Sequence, residues 1–181
     1  MSSAEEIIPI VDMQDTIIWH KERSAITYDD IYRVSSLVII NPSRNKFILA
    51  QRASWKLSPE RWANSVDGTV WQGETYRQNI IKEAKEEIGL DVCDDMLREV
   101  WHQYVYNPLK KNKFRHTLFL VVCEDDIIDT LVLEDAVAAV RWWGIDEIQQ
   151  AVQLSPQIFT ESFARNFSQL IRWLDSHKDM F

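Results

Sequence analysis

One strongly marked helix separates two β-rich stretches of the sequence. Thr75 and Gln78 form a capping box, which places the helix start just after Glu74. Gly89 supplies a C-terminal stop. Between these ends the apolar residues recur at helical spacing, at Ile80, Ile81, Ala84 and Ile88. The order β-rich, helix, β-rich, helix predicts an α/β fold in a single domain.

The other elements are predicted from short apolar runs and turn-forming residues. In the first stretch, strands are expected at residues 7–11, 16–20, 37–40 and 47–50, the last two as a buried hairpin. In the second stretch, strands are expected at residues 98–107, 116–124 and within 136–145, and helices at 146–152 and 160–177. Residues 54–67 are expected to be irregular, and residues 110–113 to form a basic loop.

The size and charge of the chain limit what it can be. With 181 residues, 46% hydrophobic and 27% charged, it has the composition of one globular domain. One domain is expected over residues 1–181, with residues 1–35 as an N-terminal hairpin extension and residues 157–177 as a C-terminal helix. A net charge of −8 without a Lys/Arg-rich run argues against a nucleic-acid partner.

The cellular compartment is inferred from the number of cysteines, the charge of the N-terminal residues and the length of the apolar segments. Only two cysteines are present, Cys93 and Cys123, which fits a reducing environment. The N-terminal residues are acidic where a signal peptide is basic, and no segment has the apolar length of a membrane span. These features predict a cytoplasmic protein without a membrane partner.

Three glutamates crowd one turn of the marked helix. Glu83, Glu86 and Glu87 cover an arc of roughly 100° beside the apolar stripe. Like charges at this spacing destabilise a helix by about a few tenths of a kcal/mol per pair. The turn is either a solvated acidic surface or a site for a hard cation such as Mg²⁺, which prefers oxygen ligands. Its position next to the buried face favours the cation.

The frame around these glutamates resembles the Nudix box. Gly68, five residues, Glu74, seven residues and the run from Lys82 to Leu90 follow that family's pattern of two glycines and four glutamates. The odds of this match by chance are on the order of one in 10⁵. Lys82 stands where the family usually has arginine, which keeps the charge but loses the planar guanidinium fork. The box covers residues 68–90.

The resemblance implies an α/β/α sandwich with a mixed sheet, and hydrolysis of a diphosphate linked to another group with Mg²⁺ or Mn²⁺. It also implies a metal-binding set consisting of the Asp67 carbonyl, Glu74, Glu83, Glu86 and Glu87, with Glu74 as either a supporting ligand or a helix-orienting residue. Candidate catalytic residues are Glu83, Glu86, Glu87 and, on a later loop, Glu134. Glu134 and its neighbour Asp135 can equally be ordinary loop acids.

Two basic residues before the box are candidates for substrate binding. Arg52 and Lys56 could contact phosphate oxygens, although solvated surface positions are the alternative. The expected substrate is a small-molecule diphosphate, such as a nucleoside di- or triphosphate or a nucleotide derivative. A homodimer is compatible with the resemblance.

A second resemblance is to isopentenyl-diphosphate isomerases, which share this fold. It runs through residues 51–53, 62–66, Gly68 and 73–74, and is stronger in the N-terminal hairpin and the box than in the C-terminal third. Those enzymes have a cysteine and a histidine where this chain has Asp67 and Thr69, and an acid at the position aligned with His116. His116 is expected to be a packing residue. A hydrolase is therefore favoured; the alternatives are an isomerase-like enzyme and a non-catalytic nucleotide- or metal-binding module.

Overall fold

The computed structural model describes residues 6–107 and 111–178, in which the chain forms nine strands and three α-helices. The strands are β1 (Ile7–Val11), β2 (Ile17–Glu22), β3 (Ile31–Ile40), β4 (Lys46–Arg52), β5 (Trp62–Ala63), β6 (Val66–Thr69), β7 (Arg98–Asn107), β8 (Asn112–Val122) and β9 (Val137–Gly144). The helices are α1 (Tyr76–Ile88), α2 (Ile145–Leu154) and α3 (Glu161–Ser176).

Strand β3 organises a single mixed sheet. One edge of β3 pairs in parallel with β8 along its whole length, from Ile31 opposite Lys113 to Ile40 opposite Val122. The other edge is shared by three antiparallel partners: β1 at its start, β6 in its middle and β4 at its end. The sheet continues through β2, β5, β7 and β9. The predicted mixed sheet is confirmed.

Helices cover both faces of this sheet, as the α/β/α prediction requires. Because successive strand residues point to opposite faces, each strand contributes to two apolar layers. The layer under α1 contains Leu37, Ile39, Ile48, Phe119 and the α1 residues Ile80, Ala84 and Ile88. The layer under α2 and α3 contains Val38, Phe47, Leu118, Ile148, Phe163, Phe167 and Leu170.

The predicted ends of the box helix are confirmed. Thr75 Oγ1 accepts a hydrogen bond from the main-chain N–H of Gln78, and Gln78 Oε1 accepts one from the N–H of Thr75. Gly89 has φ +69°, a left-handed conformation that glycine adopts without the steric cost of a Cβ atom. Helix α1 therefore begins and ends where local sequence chemistry places it.

Two local predictions were wrong. Residues 54–67 are not irregular throughout, because β5 pairs with β4 (Ala50 opposite Ala63) and β6 begins at Val66. Residues 112 and 113 belong to β8, where they pair with β7, rather than to a loop; Lys110 lies outside the described residues. In both cases pairing with a distant strand decides the conformation, and a short run carries no local periodicity that reveals it.

Two further features are the state of the cysteines and the length and polarity of the helices. Both cysteines are free thiols, Cys93 exposed and Cys123 buried. Among the helices of residues 6–107 and 111–178, none has the length and apolar character needed to cross a membrane.

The capping box can be tested by replacing Thr75 with alanine. T75A removes the acceptor for the Gln78 N–H, so the free energy of unfolding should fall by about 1 kcal/mol. T75S keeps the hydroxyl and should retain most of that stability. Urea unfolding followed by circular dichroism measures both variants. Equal midpoints for T75A and the parent chain would contradict a stabilising cap.

Candidate functional site

A cleft of about 320 Å³ is lined by residues of the sheet, of the box helix and of α3. Its lining includes Ser36 of β3, Asp67 of β6, His116 of β8, Glu83 and Glu87 of α1, and Arg165 of α3. Five separate segments of the chain thus meet at one concave surface. A cleft with converging polar groups is the usual form of a small-molecule site.

Gly68 allows α1 to approach the sheet closely enough to bring Glu83 into the cleft. A Cβ atom at position 68 would lie 2.4 Å from Glu83 Cγ and 2.8 Å from Asn79 Oδ1, both far inside van der Waals contact. Asn79 is fully buried, and its Nδ2 donates to the Thr69 carbonyl, to Glu74 Oε2 and to Glu83 Oε1. Asn79 is a site residue that sequence reasoning missed; a polar side chain on the apolar stripe was its signal.

Lys82, at the position where the family usually has arginine, forms ion pairs with two box glutamates. Its Nζ lies 2.6 Å from Glu74 Oε1, 3.9 Å from Glu83 Oε1 and 4.1 Å from the centre of the Trp71 ring. Burial by itself raises the pKa of Glu74, but hydrogen bonds from Lys82, the Trp71 main chain and Asn79 bring it below its usual value. Glu74 is therefore ionised and held on both oxygens, a geometry that suits orientation of the helix.

The surroundings of Glu87 in the cleft disfavour its ionised form. Burial, followed by the negative charge of Asp67, raises the pKa of Glu87 to about 7. Lys56 lowers it only in part, with Nζ 3.8 Å from Glu87 Oε1. Burial also raises the pKa of Glu83. Partly buried carboxylates that repel one another are stabilised by a cation, so this donor set fits a hard divalent ion.

Asp67 contributes more than the main-chain carbonyl considered from sequence. Its carboxylate lies in the cleft, where Oδ1 accepts hydrogen bonds from Ser36 Oγ and Asn64 Nδ2. Its main-chain N–H donates to the Glu87 carboxylate. Sequence reasoning missed this role of the side chain because Asp67 precedes the box.

The structure does not bring all of the predicted acids into the cleft. Glu86 and Glu134 are both exposed. At about 100° per residue, Glu86 lies roughly 60° from Glu83 on the side away from Glu87, so it points outwards. The main-chain N–H of Glu134 donates to the Glu87 carbonyl, which ties this later loop to the end of α1.

The two predicted substrate-binding residues both line the cleft. Arg52 Nε donates to the Leu57 carbonyl, which fixes the loop that carries Lys56. Arg165 adds a further guanidinium from α3, a position too distant in sequence to be found from the box. His116 is buried as expected, but it also lines the cleft, and burial lowers its pKa to about 4.

The carboxylates do not form a closed cage. In residues 6–107 and 111–178, no three His, Cys, Asp or Glu side chains are close enough together to hold a metal ion. Mg²⁺ commonly keeps several waters and is bound by one or two carboxylates together with substrate phosphates. The open arrangement of Asp67, Glu83 and Glu87 is compatible with that mode of binding.

Comparisons with known proteins give consistent matches. The NUDIX domain model matches residues 31–163. An isopentenyl-diphosphate Delta-isomerase from Photobacterium profundum is 26% identical over 179 residues, covering 95% of this chain and 98% of that protein. An uncharacterized Nudix hydrolase from Nostoc sp. is 33% identical over 89 residues, covering 48% and 53%. The isomerase match extends well beyond the hairpin and the box, to which the expected likeness was mainly assigned.

A structural comparison supports the same fold. The crystal structure of DR0079 from Deinococcus radiodurans superposes with a TM-score of 0.74 at 18% identity, covering 91% of this chain and 99% of that one. At this level of identity the match concerns the fold alone.

The close approach at Gly68 can be tested by G68A. The added methyl must displace Glu83, so we expect affinity for Mn²⁺ or Mg²⁺ to fall by about tenfold or more. G144A is the matched control, because its Cβ would meet nothing closer than Glu147 Cβ at 3.8 Å. Isothermal titration calorimetry measures both affinities. Unchanged metal affinity in a folded G68A variant would contradict the role of this contact.

The raised pKa of Glu87 predicts a pH effect on the metal-free protein. Between pH 4.5, the ordinary value, and about 7, folded Glu87 holds a proton that the unfolded chain releases, so stability should fall as the pH rises. E87Q removes this contribution and should raise the free energy of unfolding at pH 8 by about 1–3 kcal/mol. Urea unfolding in EDTA at pH 4 and pH 8 measures the difference, with E22Q at an exposed position of β2 as control.

Proposed function

This chain belongs to the Nudix family, and from that premise we propose that it hydrolyses a diphosphate bond in a small molecule with Mg²⁺ or Mn²⁺ as cofactor. The proposed substrate class is a nucleoside di- or triphosphate or a nucleotide derivative. The observation that carries the proposal is the shared cleft of Asp67, Glu83 and Glu87, which faces the basic residues Arg52 and Lys56.

The charges of this cleft match those of a metal–diphosphate complex. Carboxylates that raise one another's pKa favour a divalent cation, and guanidinium and ammonium groups favour phosphate oxygens. We assign Glu83, Glu86 and Glu87 to the metal together with Asp67, and Glu74 to orientation of the box helix. Glu86 does not line the cleft and its side chain is exposed, so of these residues it has the least support from the geometry.

A bound divalent ion supplies charge neutralisation and lowers the pKa of a water molecule. The chain's own residues bind and orient the substrate: Arg52, Lys56 and Arg165 line the cleft where phosphate oxygens would lie. Glu87, a box glutamate that lines the cleft, would either ligate the metal or accept a proton from the attacking water. Glu134 is the alternative base, on a loop whose main chain is bonded to the end of α1.

The isomerase alternative has one observation in its favour, a relative with that name matching 95% of the chain. Against it stand the residues of the cleft, since Asp67, Thr69 and His116 occupy positions that those enzymes fill with a cysteine, a histidine and an acid. A neutral buried imidazole is a much weaker proton donor than the carboxylic acid whose place His116 takes. We therefore favour hydrolysis.

Expectations about partners follow from this function. The net charge of −8 favours small-molecule substrates over nucleic acids. A cytoplasmic location and a homodimeric state remain proposals that the cleft geometry does not depend on.

Hydrolysis is tested with purified protein, Mg²⁺ and a panel of nucleoside di- and triphosphates, nucleotide sugars, dinucleotides and isopentenyl diphosphate. We expect phosphate or pyrophosphate release from at least one compound, reduced by about 10²-fold or more in E87Q. E86Q tests the outward glutamate, and E22Q on β2 is the control that should keep full turnover.

Three other outcomes would contradict the proposal. Isomerisation of isopentenyl diphosphate, observed by NMR without phosphate release, would establish the isomerase. Metal binding without turnover of any compound would indicate a binding module. Full turnover in E87Q would remove Glu87 from catalysis.

A further inference from the structure

A chain of hydrogen bonds connects residues that line the cleft, from Trp101 to Asp67. Trp101 Nε1 lies 3.4 Å from His116 Nδ1, and His116 Nε2 lies 2.8 Å from Ser36 Oγ. Ser36 Oγ in turn donates to Asp67 Oδ1. All four residues line the cleft, and His116 and Ser36 are 5% and 1% exposed. The chain joins strands β7, β8, β3 and β6 across the sheet.

The chemistry of the donors decides which group donates and which accepts at each step of this hydrogen-bond chain. An indole N–H can only donate, so His116 Nδ1 must accept and the proton of the neutral ring lies on Nε2. His116 Nε2–H then donates to Ser36 Oγ, which leaves the hydroxyl hydrogen of Ser36 for Asp67. Because burial keeps the ring neutral near pH 7, this tautomer is the state that persists. The chain ends on a carboxylate, the strongest acceptor in it.

The chain fixes how the Asp67 carboxylate is oriented. Oδ1 accepts from both Ser36 Oγ and, at 2.8 Å, Asn64 Nδ2. Within the described ranges, Oδ2 accepts no hydrogen bond, so the second oxygen is left for a ligand of the cleft. The neighbouring Glu87 carboxylate is held by the Asp67 main-chain N–H. The two acids are therefore positioned relative to each other.

We propose that Ser36 and His116 are positioning residues that hold the Asp67 side chain as an oxygen ligand for the divalent cation of this cleft. The inference rests on the proposed function for the identity of the cation. Beyond that function, it assigns the Asp67 carboxylate, as well as the Asp67 carbonyl, to the cation. It also gives Ser36 and His116, two uncharged residues of the sheet, a role in cation binding. Ser36 acts only through Asp67, since its hydroxyl donates to Oδ1 and its oxygen accepts from His116.

The inference is tested by a double-mutant cycle of S36A and D67N on Mn²⁺ affinity, measured by calorimetry without substrate. We expect S36A to weaken Mn²⁺ binding by about tenfold. In the D67N background S36A should cause no further loss, because the two residues act as one unit. An equal loss in both backgrounds, or no loss from S36A in the parent chain, would overturn the inference.

The matched control is T117V on the adjacent position of β8. Thr117 is also buried and also bonds a histidine, with Oγ1 2.7 Å from His102 Nδ1, but it does not line the cleft. T117V therefore removes a part-buried hydrogen bond to a histidine at a buried threonine and should leave Mn²⁺ affinity unchanged. A loss equal to that of S36A would indicate a general structural effect and would contradict the inference.

A second measurement needs no variant of the buried serine. ¹⁵N NMR of the parent protein at pH 7 should show His116 as the neutral Nε2–H tautomer, and W101F should shift the ring towards a mixture of tautomers. An Nδ1–H tautomer in the parent protein would reverse the direction of the chain and overturn the inference. Both readouts are independent of turnover, so a failed hydrolysis assay does not decide them.

Discussion

The contact between Gly68 of β6 and the box helix is the constraint on which the candidate site depends. A side chain at position 68 would collide with Glu83 and Asn79, so only glycine lets α1 lie this close to the sheet. Asn79 then ties the helix to β6 through the Thr69 carbonyl, and it also donates to two box glutamates. One missing Cβ atom thus places an acidic helix turn over the edge of a cleft.

This arrangement holds carboxylates together against their own repulsion. Fully burying a large aliphatic side chain contributes about 1.5–3 kcal/mol, and Ile80 and Ile88 on α1 are both fully buried. Repulsion between like charges on one helix costs only about a few tenths of a kcal/mol per pair. The apolar stripe therefore outweighs the acidic turn, and α1 forms without a cation. Burial, with the charge of neighbouring acids as a smaller cause, raises the pKa of Glu83 and Glu87.

The chain is similar over nearly its full length to a protein named as an isomerase, and three positions in the cleft bear on that likeness. The Photobacterium profundum enzyme matches nearly the full length of this chain, yet Asp67, Thr69 and His116 differ from the residues that resemblance would require. In this protein Asp67 and His116 are both hydrogen-bonded to Ser36, so these two positions belong to one connected group. Asp67 and His116 therefore lie close together in the fold, although 49 positions separate them in the sequence.

The sequence by itself determined the elements whose signals are local. The capping box at Thr75, the stop at Gly89 and the spacing of the box glutamates are set by neighbouring residues, and these predictions of helix and family were confirmed. The tertiary structure alone decided what depends on pairing between distant strands. The parallel register of β3 with β8 sets His116 opposite Val34, two residues from Ser36, where His116 Nε2 reaches Ser36 Oγ. The register of β3 with β6 sets Asp67 opposite that same serine. No periodicity within either segment reports such a register, because it arises only when separate strands form one sheet.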